Sequence, residues 1–216
     1  MRSGMPAVEV EWQFEVRDVD AVGRWLARAD LGSEWAVTRR ATLRLRDVYF
    51  DTADWAVARS RHALRVRTEG ESVEAALKAF GRSRGGAKHR RELVEPLPDA
   101  RLATLRAARG VVGRGVRRIA GTATLRRLFL VRTRREVWDV RRHGRVVAEL
   151  ALDRTRIVAR RATRDLERVE IEVKRSMPAV VARFVAVLRR RRRLASVRRS
   201  KFETGLAAAG LSRPAT

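Results

Sequence analysis

Val8-Glu-Val-Glu-Trp-Gln-Phe-Glu-Val16 alternates without a break, with Val8, Val10, Trp12, Phe14 and Val16 on one side and Glu9, Glu11, Gln13 and Glu15 on the other. A period of two marks an extended strand, because successive side chains point to opposite faces. One face of this strand is apolar and the other is polar and mostly acidic. The same division returns near the other end of the chain, where Val169, Ile171 and Val173 alternate with Glu170, Glu172 and Lys174. In between, Arg65 and Arg67 share a strand face. An ordinary sheet with one wet face accounts for any one of these strands. Together, polar faces charged with both signs point to a sheet closed into a barrel with those faces inward, leaving the apolar faces to pack against helices outside.

Further strands are expected at Glu34 to Phe50, Ala63 to Thr68, Val73 to Ala79, His89 to Glu95, Leu128 to Val140, Val146 to Leu152, Thr155 to Ala162 and Leu166 to Lys174. Helices are expected at Asp20 to Ala29, Pro98 to Arg109, Pro178 to Arg190 and Ser200 to Ala209, with a Gly- and Arg-rich connection up to Gly121. Gly81 to Ala87 reads as a hairpin loop; its approach to a phosphate-loop pattern fails because Lys88 falls one residue late and His89 stands where Ser or Thr is needed. The total is an α+β barrel or sandwich of eight or more strands with peripheral helices, read as a single domain over 1–216 with its core at about 8–209 and 210–216 as tail or linker.

A charged lumen needs a ligand, since buried unpaired charge is costly. Carboxylates at alternate strand positions, as in Glu9/Glu11 and Glu170/Glu172, can share a hard cation such as Mg2+ or Mn2+. Arg65 and Arg67 offer forked donors suited to phosphate oxygens. Acids, metal and bases in one cavity describe a site for a metal-chelated phosphoanhydride.

The formal charge of +25 attracts polyanions without choosing among them, and nucleic acid would be held only nonspecifically. Codon bias in a GC-rich genome also produces such an excess of arginine. It leaves four lysines, Lys78, Lys88, Lys174 and Lys201, as positions where a compact point charge has been kept. The absence of cysteine removes disulfides, thiolate zinc sites and a Cys nucleophile, and fits a reducing cytoplasm. Met1 to Val10 has no apolar run of signal-peptide length, and Ala179 to Leu188 is too short to span a bilayer, so an untargeted protein without a membrane span is expected. His62, His89 and His143 lack metal-ligand spacing, and Asp51 reads as a turn-forming strand cap.

Glu9-Val-Glu11-Trp-Gln13 resembles the ExExK signature of the CYTH proteins, the triphosphate tunnel metalloenzymes, which include inorganic triphosphatases, thiamine triphosphatases and class IV adenylate cyclases. Val48-Tyr-Phe-Asp-Thr52 is similar to the family's YYDT strand end, His62-Ala-Leu-Arg65-Val-Arg67 to its LRxR strand, and Leu77-Lys78 to the LK that follows. Arg91-Glu92, Arg135-Glu-Val-Trp138, Ala151-Leu-Asp153, Glu170-Ile-Glu172 and Ser200-Lys201 continue the resemblance in order. It implies an eight-stranded antiparallel tunnel with Arg65, Arg67, Lys78, Arg91, Arg135 and Lys201 on the phosphates. Arg132 and Arg134 are alternatives to Arg135 if strand parity runs the other way. Glu9, Glu11, Asp153, Glu170 and Glu172 are implied as ligands of Mg2+ or Mn2+, with catalysis carried by Glu9, Glu11, Glu170 and Glu172.

The implied substrate is inorganic tripolyphosphate, polyphosphate or an organic triphosphate. Gln13 departs from the signature lysine, which opens a second reading: a polyphosphate-binding module without turnover. Gly205 to Thr216 is similar to the linker that joins CYTH domains to a helical CHAD domain, the one partner domain the resemblance suggests.

Overall fold

The computed structural model describes residues 7–174 and 177–211. Most of the stretch expected as tail or linker, 210–216, lies outside the described residues. The strands are β1 (Ala7–Glu15), β2 (Trp35–Thr52), β3 (His62–Glu69), β4 (Ser72–Ala79), β5 (Arg82–Arg84), β6 (Ala87–Leu97), β7 (Leu125–Arg142), β8 (Arg145–Val158), β9 (Thr163–Val173) and β10 (Ala195–Ser196). Every pairing is antiparallel. The order β1-β9-β8-β7-β2-β3-β4-β6 returns to β1 through the β1–β6 pair, which closes an eight-stranded barrel. β5 and β10 are additions. β10 pairs with Phe14 and Glu15 of β1, beyond the residues that β6 occupies, and β5 pairs with Ala87 to His89 of β6 beyond the reach of β4.

Six helices, α1 (Val19–Leu26), α2 (Ala56–Arg59), α3 (Leu102–Ala107), α4 (Val111–Ala120), α5 (Pro178–Arg192) and α6 (Lys201–Ala209), complete the elements among the described residues. The outward faces of β1 and β9 behave as their alternation requires. Trp12, Phe14, Val169 and Ile171 pack with Val19, Val22 and Leu26 of α1 and with Val181, Phe184 and Leu188 of α5. On the other side Val48, Phe50, Leu64, Val66 and Leu77 pack under α2, α3 and α4. Each fully buried Leu, Val or Phe in these layers contributes roughly 1.5–3 kcal/mol.

A third cluster lies on the inward faces. Tyr49, Val131 and Ile157 share strand parity with Asp47, Arg135 and Asp153, and they pack with Phe129 and with Phe202 and Leu206 of α6. Helix α6 therefore stoppers one end of the barrel interior. Its close seating needs glycine, because a Cβ on Gly205 would meet the Phe129 ring at 2.2 Å.

Three expectations change. Gly81 to Ala87, expected as a hairpin loop, holds the short strand β5 at Arg82–Arg84, which pairs with the start of β6 and leaves the turn to Gly85 and Gly86. The connection before Gly121 contains α4, whose N-terminus is capped from another element: the Glu95 carboxylate of β6 accepts from the backbone N–H of Gly110 at 2.6 Å, Val112 at 3.0 Å and Gly113 at 2.9 Å. A carboxylate there satisfies orphan donors and meets the positive end of the helix dipole. The two strands expected on either side of Asp153 are one strand, β8, paired without interruption with β9 from Ala148 to Val158. Asp51 caps as expected, accepting from Thr52, Val57 and Ala58 at the start of α2.

Candidate active site

The barrel encloses a cavity of about 1340 Å3 whose wall carries nine carboxylates and nine Lys or Arg side chains. Strand parity sets the inward faces: the residues flanking Glu11, Gln13, Arg65, Glu170 and Glu172 belong to the apolar clusters outside. Glu9, Glu11 and Gln13 come from β1, Glu170 and Glu172 from β9, Arg65 and Arg67 from β3, Lys78 from β4, Arg135 from β7 and Lys201 from the first turn of α6.

The charges sit in three paired groups. At the first, Arg90 of β6 donates Nε to Glu9 at 2.7 Å and lies 2.7 Å from Glu11 through Nη2, while Lys78 Nζ is 2.9 Å from Glu92 and 3.9 Å from Glu9. At the second, Arg67 grips Asp47 with two hydrogen bonds of 2.7 and 2.9 Å, and Arg65 is bonded to Glu74 at 3.1 Å. At the third, Arg135 clasps Asp153 with two bonds of 2.7 Å and Glu170 with one of 2.6 Å, and Lys201 Nζ meets Asp153 at 2.5 Å and Glu170 at 3.1 Å. Asp153, expected as a metal ligand, is fully buried beneath Arg135 and Lys201 and is not on the cavity wall; its ion-pair partners are those two bases. Arg168, fully buried on the inward face of β9, donates Nη2 to the Arg199 carbonyl, while its Nε and Nη1 have no partner among the described residues.

Titration follows this pairing. Burial works against the charged form of Glu9, yet Lys78 and Arg90 outweigh it and hold the carboxyl at about 2. For Asp47 burial is outweighed in the same way by Arg65 and Arg67, again to about 2. Burial of Lys201 is overcome by Asp153 and Glu170, which raise its pKa. Glu11 goes the other way. Burial pushes it up to about 7 against the attraction of Arg90, with Glu9 and Glu170 adding to the rise.

Glu11 faces Glu172 across the β1–β9 pair, and Glu172 faces Glu149 across β8–β9, so three carboxylates form one cross-strand row. Like charges directly opposite one another repel. A hard divalent cation fits this oxygen donor set, and it would have to take carboxylates that bases now hold. As the side chains stand, no three of them converge on one point among the described residues.

Of the ten positions expected on phosphate or metal besides Asp153, nine line the cavity, and Arg91 does not. Arg91 is exposed on the outer face of β6, opposite Val8, and Arg90 takes the inward place. The reason is parity: Glu92 faces inward, so its chain neighbour Arg91 cannot. Arg132 and Arg134 are likewise exposed outside, leaving Arg135 in the lumen. Sequence reasoning passed over Asp47, Glu74, Arg90 and Glu149, and it singled out Lys88 without assigning it to the site. The alternation Lys88, Arg90, Glu92 along β6 was a readable signal for two of them.

A closed antiparallel barrel filled with interleaved acids and bases defines a triphosphate-tunnel protein. The CYTH domain model matches residues 7–205, and the chain belongs to that family. Among solved structures, a candidate adenylyl cyclase from Hippeastrum, described as having a dominant triphosphatase activity, is 19% identical with a TM-score of 0.67, the match covering 95% of this chain and 98% of that one. A candidate adenylate cyclase from Bacillus halodurans is 18% identical with a TM-score of 0.63, over 91% and 96% of the two chains. A protein from Pyrococcus horikoshii is 17% identical with a TM-score of 0.59, over 92% and 98%. These likenesses extend to the fold. No curated protein matches the chain. Among the described residues no helix is long and apolar enough to cross a membrane.

Proposed function

We propose that this chain hydrolyses inorganic tripolyphosphate or a related triphosphate inside its barrel, with Mg2+ or Mn2+ as cofactor. The observation that carries the reading is the equal mixing of nine acids and nine bases in one cavity. Such a wall suits a ligand that is itself of mixed charge. A polyphosphate takes the bases and its divalent cation takes the acids, so each lumen ion pair is exchanged for two others without leaving a charge unpaired.

In this reading Arg65, Arg67, Lys78, Arg90, Arg135 and Lys201 bind the phosphate oxygens and stabilise the charge that develops on them. Glu9, Glu11, Glu170 and Glu172 would hold the metal and orient the attacking water, while Asp153 keeps Arg135 and Lys201 in place. The bound metal would supply Lewis-acid charge and lower the pKa of water. The water oxygen bonds to the terminal phosphorus, the bridging P–O bond breaks, and pyrophosphate leaves with the electron pair. The proton lost by the water passes to a lumen carboxylate. An eightfold set of backbone ladders fixes the side chains, so little reorganisation accompanies the step.

Gln13 favours a second reading, polyphosphate capture without turnover, because an amide brings no charge where the family signature has lysine. Phosphate release from tripolyphosphate, measured beside binding by calorimetry, separates the two. Release that requires metal supports hydrolysis, and binding without release supports capture. Affinity indifferent to Mg2+ and governed by salt alone supports neither and points to nonspecific polyanion binding.

A further inference from the structure

Gln13 stands inside the cavity with both ends of its amide engaged. Its Nε2 donates to Glu11 Oε1 at 2.9 Å and to Glu170 Oε1 at 3.4 Å, and its Oε1 accepts from Lys88 Nζ at 2.9 Å. Lys88 comes from β6, directly opposite Glu11 across the β1–β6 pair, and lines the same cavity. A lysine at position 13 would place its ammonium among Glu11 and Glu170. Here the amide nitrogen occupies that place, and an ammonium sits one amide away on the neighbouring strand.

We propose that Lys88 is a phosphate-binding residue of this site and supplies the positive charge that Gln13 lacks. The proposal rests on the triphosphate reading given above. Its support is the partnering of the four lysines. Lys78 is paired with Glu92, Lys174 with Glu172 and Lys201 with Asp153, each within 2.9 Å. The partner shown for Lys88 among the described residues is the neutral Gln13 amide, and Glu11 across the strand pair is taken by Arg90 instead. An ammonium set in a partly buried wall with an amide rather than a carboxylate as its hydrogen-bond partner is costly unless a ligand anion arrives. Burial lowers the pKa of Lys88, and the more distant Glu11 and Glu203 only oppose that fall. Two of its three N–H donors remain for phosphate oxygens, and Gln13 positions it.

The test uses Lys88→Met and the exchange Gln13→Lys/Lys88→Gln, with tripolyphosphate Kd by calorimetry, kcat/KM for phosphate release and Tm. Lys88→Met is expected to weaken binding and kcat/KM by about tenfold or more with Tm held or raised, because it deletes an unpaired charge. The exchange variant is expected to return both to within about threefold of the wild type. A Lys88→Met protein within about twofold of wild type in both constants overturns the proposal, and does so with the hydrolase reading intact if Glu170→Gln still abolishes release. A fall in Tm with unchanged Kd also overturns it, since that is a structural role. If the wild type binds without turnover the Kd comparison alone decides, and if it neither binds nor hydrolyses tripolyphosphate both readings fall together.

Discussion

Asp47 lies between Arg65 and Arg67 with almost no exposure, and its carboxyl titrates near 2 in the fold against a usual 3.8. The unfolded chain therefore binds the proton first, so the pairing stabilises the fold above pH 3.8 and is lost as pH falls through 2. The difference is worth about 2 kcal/mol, and Asp47→Asn is expected to flatten the acid limb of the stability curve between pH 4 and pH 2, measured by urea unfolding at about half-unit intervals. The inward and outward arginines of β6 give a second test. Arg90→Ala is expected to lower kcat/KM for tripolyphosphate by about tenfold or more, and Arg91→Ala to leave it within about twofold. Equal losses would mean that β6 is one residue out of register. At this scale most of the site was legible, because alternate strand positions declare their face. The miss at Arg91 came from matching a motif pair on adjacent residues, which no strand can turn the same way. Lys88 was hidden for another reason: its value depends on the amide of Gln13, a partner distant in the chain.

Among the elements, α6 does two things at once. Lys201 at its start reaches Asp153 and Glu170, while Phe202 and Leu206 fill the inward end of the barrel against Tyr49 and Phe129. Gly205 makes the approach possible. Replacing it with valine forces a methyl group into the Phe129 ring and is expected to cost roughly 1–3 kcal/mol. Calorimetric melting should then fall by about 2–4 °C per kcal/mol. Because the helix carries Lys201, tripolyphosphate binding should weaken with it, and an unchanged Tm would show that α6 is not the stopper. Strand alternation made β1, β3, β4 and β9 readable from the sequence, and the Ser200 cap with Glu203 three residues on made α6 readable too. Helix α4 was not readable, since its cap is Glu95, some fifteen residues earlier on a strand. The continuity of β8 through Asp153 was hidden in the same way, because that buried charge is neutralised by partners distant in the chain, Arg135 directly opposite on β7 and Lys201 of α6.

Over the whole molecule the charges divide unevenly. The cavity wall is balanced, nine against nine, so the formal +25 resides on the rest of the chain. Part of it forms cross-strand rows on the outer face, where Arg44, Arg134 and Arg154 lie side by side on β2, β7 and β8, followed by Arg46, Arg132 and Arg156. On the proposed reading, an outside this positive would draw a polyanion towards the barrel by long-range attraction, whereas residence inside would depend on short ion pairs that salt screens far less. Stopped-flow binding of tripolyphosphate is therefore expected to slow by about tenfold or more from low to physiological ionic strength, with a much smaller change in dissociation rate. A salt effect carried mainly by dissociation would place the binding outside the lumen. The barrel itself was foreseeable from the sequence, since several strands with one apolar and one mixed-charge face can pack the apolar faces under helices and turn the charged faces towards one another around a lumen. The balance of the lumen could be counted only once inward and outward arginines were separated.

The most direct test is phosphate release from inorganic tripolyphosphate by the purified chain in Mg2+, in Mn2+ and in EDTA, with Glu170→Gln alongside. The account expects release that needs metal and falls by about a hundredfold or more in the variant, whose amide keeps the shape of the side chain but not its charge. No release under any condition, with tripolyphosphate still bound in the cavity, would contradict hydrolysis and leave a protein that holds polyphosphate without cutting it.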